Sequence, residues 1–272
     1  MRKLNYLSFI GFFMAILVSG CSMDKVREQA DALYKGGKFE AAAAKYDRVI
    51  AMEKDNHFAL YNRGRALEEI GEYDRAYDDF SALIRLKRYT RRAMMARARC
   101  SFELENYKGA IMDLNVLLKR DEGNLEALQL RGNSYLRINE PLKASDDLDQ
   151  VVTRDPENVH ALVSRGAAYA RMGQGPFAID NFQRALRIDS ELPVAYFNMG
   201  VVYMYHEYWS EAIRYFKIAL EKDPDYAQAQ TRIGLVKLNS GEHSLTQACA
   251  DFKKGREMGD TDAVEFIKEN CR

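Results

Sequence analysis

The sequence lacks any excess of charge. Its 40 Lys and Arg balance 40 Asp and Glu, and the part beyond residue 20 keeps 38 basic against 40 acidic residues, so there is no basic surplus for nucleic acid to exploit. It also lacks a linker or low-complexity break. A length of 272 residues would allow two domains, yet one elongated domain is expected. Reactive constellations are missing as well. The four histidines, His57, His160, His206 and His243, pair with no cysteine or acid at metal-ligand spacing, and no Gly-rich phosphate loop or nucleophile elbow occurs. No catalytic residue, metal or cofactor is therefore expected, and most acids read as solvated helix faces.

What the sequence has is a 34-residue grid. Gly64, Gly132, Gly166, Gly200 and Gly234 fall on it, with Ala30 and Ala98 at the two points where glycine is absent. In phase with that column run Ala42, Ala76, Ala110, Ala144, Ala178 and Ala212, and then Tyr46, Phe80, Leu114, Leu148, Phe182 and Phe216. Three columns in register mean one unit copied along the chain. Within a copy, two apolar-periodic runs flank a break such as Ile70-Gly71-Glu72, which reads as two short helices and a tight turn. Neither helix can bury its apolar stripe alone, so the copies are expected to stack into a solenoid. Small residues such as Gly64 and Ala76 would let paired helices approach, and Leu67, Phe80 and Leu83 would fill the space between neighbouring pairs.

Those columns, the tyrosine three residues after the small residue (Tyr135, Tyr169, Tyr203), the Gly-x-aromatic turns (Gly37-Lys38-Phe39, Gly71-Glu72-Tyr73) and Asp155-Pro156 and Asp223-Pro224 together resemble the tetratricopeptide repeat. The resemblance covers residues 23 to 258. It departs at Ser101, where the aromatic is missing, and at Arg88, Glu122 and Ser190, where proline is absent. It implies an all-α solenoid, a right-handed superhelix of about six regular repeats, one degenerate repeat and a C-terminal capping helix. The seventh copy is longer by two residues at His243 to Gln247, and the last helix, Thr261 to Asn270, would pack through Ala263, Val264, Phe266 and Ile267.

The resemblance also implies a concave groove lined by the first helices. On this chain a basic, hydrogen-bonding half would show Arg27, Asn62, Arg65, Arg92, Arg99, Asn133 and Arg137, mixed with Asp31, Glu68, Glu69 and Glu103. An apolar half would follow at Val163, Phe197, Val201, Met204, Tyr205 and Leu235, although Phe197 and Met204 would serve equally well as packing inside the solenoid. A carboxylate clamp is only partly matched: Arg27, Asn62 and Arg92 fit, but Asp31 and Ala96 do not. The expected function is a non-enzymatic interaction scaffold that takes a partner protein or peptide in the groove. A pilotin-like assembly factor is the alternative, and a glycan-binding protein or an enzyme with an unrecognised site is a more distant one.

At the N-terminus, Arg2 and Lys3 precede an apolar run from Leu4 to Val18, too short and too interrupted by Asn5 and Ser8 to span a membrane. It ends in Val18-Ser19-Gly20-Cys21, which resembles the lipobox of bacterial lipoproteins. Residues 1–20 are then a signal peptide, Cys21 the acylated N-terminus, residues 23–258 the repeats and 259–272 the cap. Several acyl chains make a stable anchor where one would be marginal. Ser22 after the cysteine, with no acidic run behind it, points to the outer membrane and its periplasmic face. An envelope protein would be the partner.

Two further patterns complete the reading. Arg63, Arg97, Arg131 and Arg165 precede the small residue, and Asp79, Asp113 and Asp147 lie sixteen residues beyond the first three. In the first and sixth copies both members change together, Gln29 with Lys45 and Met199 with Tyr215, so the two columns are expected to meet, within a repeat or across a junction. An exposed rung of that kind contributes about 0–1 kcal/mol. Among the cysteines, Cys100 reads as a buried thiol. Cys249 and Cys271 stand about equally far from the Gly259-Asp260 turn, and in an oxidising compartment they are expected to form a disulfide.

Overall fold

The computed structural model describes residues 23–271, so the signal and lipidation expectations at residues 1–22 lie outside the described part. Among the described residues the regular structure is entirely helical. In order these are α1 (residues 23–35), α2 (Phe39–Met52), α3 (His57–Glu69), α4 (Tyr73–Arg85), α5 (Thr90–Glu103), α6 (Tyr107–Leu118), α7 (Leu125–Arg137) and α8 (Pro141–Arg154). Then follow α9 (Val159–Arg171), α10 (Gly175–Ile188), α11 (Pro193–Tyr205), α12 (Trp209–Lys222), α13 (Ala227–Ser240), α14 (Leu245–Glu257) and α15 (Asp262–Asn270). Each copy of the 34-residue unit is one pair of helices. Two compact units result, one through Leu130 and one from Arg131. In the first, each helix from α2 to α6 packs on the next; in the second, the same holds from α8 to α15.

Local sequence sets where helices start. Asn56, Asn124 and Asn158 each turn a side-chain oxygen to the backbone N–H three residues on, at 2.9, 3.0 and 2.9 Å, and donate from the side-chain amide to Glu53, Asp121 and Asp155. Such a cap satisfies one orphan donor and is worth about 1 kcal/mol. Pro141 and Pro193 open α8 and α11, where a missing N–H costs nothing. The turn inside a pair needs a left-handed residue. Gly37, Gly71 and Gly173 supply it freely, while Glu105, Asn139 and Glu207 adopt it with φ of 58° to 61°.

The three columns are the core. The column alanines from Ala42 to Ala212 are buried, and so are Tyr46, Phe80, Leu114, Leu148, Phe182 and Phe216. The glycines exist because a ring lies on them: a Cβ at Gly166 would stand 2.5 Å from Phe182, at Gly200 2.7 Å from Phe216, and at Gly64 2.8 Å from Phe80. Phe80, expected between neighbouring pairs, therefore sits first of all inside its own pair. The two-residue insertion of the seventh copy is absorbed before α14, where Ser244 and Gln247 form a capping box, and Phe252 still lies on Gly234.

The arginine and aspartate columns do meet. Arg63, Arg97 and Arg131 each grip both carboxylate oxygens of Asp79, Asp113 and Asp147 at 2.5 to 2.8 Å. Junctions are bridged too, because the remaining edge reaches back sixteen residues to the preceding pair. Arg63 holds Asp47 at 2.5 Å, Arg97 holds Ser81 at 3.1 Å, and Arg165 holds Asp149 at 2.8 Å. Arg165 takes the Asn181 side-chain oxygen at 2.7 Å where its column has no acid, and Lys45 donates to Gln29 at 3.0 Å in the first copy. In the sixth, Tyr215 stacks on Tyr203 with centroids 5.1 Å apart, and Met199 is buried. The three aspartates are buried, so the value for an exposed rung does not apply. Removing one partner of a buried pair costs about 3–5 kcal/mol.

At the C-terminus α15 lies on α13 and α14 through Ala263 and through Phe266, which stacks on Phe252 at 5.2 Å. Val264, expected on the packed side, is 53% exposed: it sits one residue round the helix from Ala263 and turns away from the stripe formed by Ala263, Phe266 and Ile267. Cys249 and Cys271 are brought together, their Cα atoms 5.7 Å apart and their sulfurs within bonding distance.

Leucine at Gly166 should cost about 1–3 kcal/mol by overpacking the Phe182 ring. Urea denaturation reads this directly, and an unchanged midpoint would contradict a core role for the glycine column.

Candidate partner-binding surfaces

In the first unit, side chains projecting from the first helices pair with one another before they meet any partner. Arg99 on α5 is the centre. Its guanidinium donates to both oxygens of Glu68 on α3, at 3.1 and 3.3 Å, and to Glu126 at 3.0 Å. Burial pushes the Glu68 carboxyl above its ordinary value, and the Arg99 charge opposes that push. Arg65 lies over the Tyr34 ring at 4.9 Å. Arg65 and Arg99 thus come together, with Glu68, Glu69, Tyr73 and Glu103, around an open cavity of about 360 Å³. The expected basic half is here an internally balanced surface.

Arg27 pairs with Asp24 at 3.2 Å and lies over Phe58 at 5.4 Å. It borders a second, wider cavity of about 570 Å³ with Asp31, His57 and Tyr89. Asp31 accepts a 2.5 Å hydrogen bond from Tyr46, and burial, followed by that bond, drives the Tyr46 hydroxyl above its ordinary range. Tyr89 enters α5 in a left-handed conformation, φ 47°, with its ring 5.5 Å from His57 and 5.2 Å from Tyr61. Asn62 is half-buried on α3, and Arg92 is exposed on α5.

In the second unit most of the expected apolar surface is spent on packing. Phe197 sits 5.5 Å from Phe216 and 5.1 Å from Tyr226, and Val201 and Met204 pack in the same cluster. Val163 packs against the Ala178 and Phe182 cluster, and Leu235 is half-buried. Of the two readings open for Phe197 and Met204, internal packing describes their contacts. Asn133 is half-buried with its side-chain oxygen enclosed, and Arg137 is exposed. Tyr205 is different, at 84% exposed. With Val201 it borders a cavity of about 370 Å³ whose other walls, Asn139, Arg171, Gly175 and His206, sequence reasoning passed over. Arg171 stands on the grid between Arg137 and Tyr205, the one periodic signal that could have found it.

Burial pushes the Cys100 thiol up to about 12, which keeps it protonated and inert. Among the described residues no three His, Cys, Asp or Glu side chains gather as a metal site.

Stacked helix pairs of this kind define an all-α solenoid, a class of fold that presents extended surfaces for interaction. Comparison with known proteins names the family. A tetratricopeptide repeat model matches residues 27–90 and 130–193, and a second matches 193–226, together more than half of the chain. The chain belongs to the tetratricopeptide repeat family.

Solved structures agree on the fold. A tetratricopeptide repeat protein from Parabacteroides merdae is 22% identical, with a TM-score of 0.75 over 91% of this chain and 96% of that one. MamA from Desulfovibrio magneticus is 21% identical, with a TM-score of 0.59 over 62% of this chain and 95% of that one. YrrB, described as a tetratricopeptide repeat protein with an unusual peptide-binding site, is 21% identical, with a TM-score of 0.55 over 68% of this chain and 95% of that one. No curated protein sequence matches the chain at a significant level.

Replacing Arg99 with methionine should leave Glu68 half-buried without its counter-charge. A carboxyl whose folded pKa is raised favours the native state at low pH and loses that advantage as pH rises. The variant should therefore be destabilised more at pH 8 than at pH 5 in urea melts; an equal loss at both would mean Arg99 does not govern Glu68.

Proposed function

We propose that the chain is a lipid-anchored adaptor of the bacterial envelope, facing the periplasm, that holds a partner protein or peptide on the first-helix face of its repeats. Membership of the tetratricopeptide repeat family supports a protein–protein interaction scaffold. The observation that carries the reading further is the balanced charged face at Arg65, Glu68, Glu69, Arg99 and Glu103, with the aromatic cavity at Arg27, His57 and Tyr89 towards the other end of α3 and α5. Paired charges of both signs favour a partner that exchanges ion pairs over a highly charged polymer. The likeness to a protein with a peptide-binding site is consistent with this, at the level of the fold.

The anchor rests on Val18-Ser19-Gly20-Cys21, and Ser22 behind it favours the outer membrane. Export would also suit a Cys249–Cys271 disulfide, supported by the approach of these residues in the fold. Such a bond would tie α15 onto the last repeat and close its exposed end, worth about 3 kcal/mol in the chain-entropy model.

One experiment in cells tests these elements together. A photocrosslinker replacing Glu69 should capture a defined envelope protein from the membrane fraction, and Arg65→Glu should abolish capture. Cys21→Ala should release the chain from that fraction, and non-reduced peptide mapping should recover Cys249 linked to Cys271. Membrane retention by Cys21→Ala would overturn the anchor, and crosslinking indifferent to Arg65→Glu would overturn the surface.

A further inference from the structure

One junction of the first unit departs from the pattern of the others. Asp121, Asp155, Asp189 and Asp223 share a grid position where one helix pair gives way to the next, and the junction between α4 and α5 puts Lys87 there instead. The reversal is not isolated. Arg85, Lys87, Arg88, Arg91 and Arg92 fall within eight residues, and no acid lies among them. All five are exposed, as is Tyr89 in their midst. Among the described residues only Arg91 of the five makes an ion pair, with Asp121 at 2.8 Å. The neighbouring junctions do not cancel this charge: Lys119 and Arg120 offset Asp121 and Glu122 after it, and Lys54 against Glu53 and Asp55 leaves one excess acid before it. The loop is also held in an uncommon shape, since Lys87 and Tyr89 both adopt left-handed backbone, φ 54° and 47°, without being glycine.

This loop shares an edge with the start of the first helix. Arg27 of α1, His57 at the start of α3 and Tyr89 just ahead of α5 line one cavity, and the Tyr89 ring lies 5.5 Å from His57. Two residues of chain reach at most about 7 Å. An acyl group on Cys21 would therefore hold the opening of α1, and this edge with it, at the membrane. Anionic headgroups attract a basic segment beside the membrane by about fivefold in affinity per cation, and a tyrosine suits the headgroup level. We propose that the junction at 85–92 docks on the anionic phospholipid surface, as a second membrane contact beside the lipidated N-terminus. The proposal rests on the anchored reading for where the membrane lies. Charge complementarity and continuity with the anchor select the occupant. A tether at one end leaves the first unit free to swing, and a second contact fixes its orientation. The Glu69 and Glu103 ends of α3 and α5 are then turned to the aqueous side, about 20 Å away along helices of 13 and 14 residues, so the charged face around Arg99 stays open to a partner.

The test uses the chain from residue 21 with Cys21→Ser, which carries no acyl group, sedimented with vesicles of phosphatidylcholine alone or of phosphatidylcholine and phosphatidylglycerol in equal parts. The chain should bind the mixed vesicles and not the zwitterionic ones, and should be released at about 1 M salt, where the Debye length falls to about 3 Å. Lys87→Gln with Arg88→Gln should weaken binding about twentyfold, two cations at about fivefold each. Both side chains are exposed and, among the described residues, unpaired, so the melting temperature should not move. Lys35→Gln with Lys38→Gln, an equal loss of charge at the far end of α1, should leave binding unchanged. In cells, salt separates this contact from the anchor: the acylated chain should withstand a wash at about 1 M salt, which the loop alone does not. Failure of the anchor therefore leaves the vesicle result standing, and the reverse holds too. No binding of the mixed vesicles at low salt, equal binding of the zwitterionic ones, an equal loss from both double variants, or tighter binding of a poly-glutamate peptide, which would assign the loop to an acidic protein, would each overturn the proposal.

Discussion

A carboxylate buried between two helices costs several kcal/mol unless a matched cation meets it with good geometry. Asp79, Asp113 and Asp147 accept that condition, and Arg63, Arg97 and Arg131 meet it with two parallel hydrogen bonds each. Such a side chain fixes more than its own pair. Its free edge reaches back to Asp47 or Ser81, as Arg165 does to Asp149, so one arginine sets the angle within a repeat and the register against the repeat before it. A slip of one residue would strand a buried charge, a penalty no apolar contact imposes. Dispersion and burial in the glycine, alanine and aromatic columns hold the pairs closed, and the arginines specify which residue faces which.

Function follows from what this framework leaves outside. With the core columns and the arginines committed inward, the first helices of the first unit carry side chains whose charges cancel in place. A partner there would exchange partners with Arg99 and Glu68 more than neutralise them. The second unit keeps its aromatic residues mostly for itself, and Phe197 between Phe216 and Tyr226 is the example. The rings it leaves outside are few, Phe177, Tyr208 and, most exposed of the three, Tyr205.

The sequence showed the repeat because packing repeats it. A glycine stands where the Phe80, Phe182, Phe216 and Phe252 rings cross, so Gly64 with Phe80 and Gly166 with Phe182 fall on the 34-residue grid whatever the surface does. The arginine column was visible as paired change between copies, but its bridging role was not, since polar residues stand sixteen positions on both sides of each arginine. The pairing of Arg99 was not legible: its partners Glu68 and Glu126 are far away in sequence, and periodicity carries no information about which charges meet across repeats. Helix α11 is apolar on nearly every side, so no periodic argument could tell that Phe197 and Met204 pack while Tyr205 does not. The Tyr205 cavity joins three separate connections, Asn139, Arg171 and His206, which only the stacking of pairs brings to one place.

The register of the stack depends most directly on the coupling of one arginine to its buried acid. A double-mutant cycle with Arg97→Leu, Asp113→Leu and both together, read by urea unfolding at neutral pH, measures it. The expected result is a loss of about 3 kcal/mol or more for each single change and a much smaller loss for the double, as for a buried pair replaced by apolar side chains. Losses that simply add, within about 0.5 kcal/mol, would show that the two residues do not act as a unit and that register is set elsewhere.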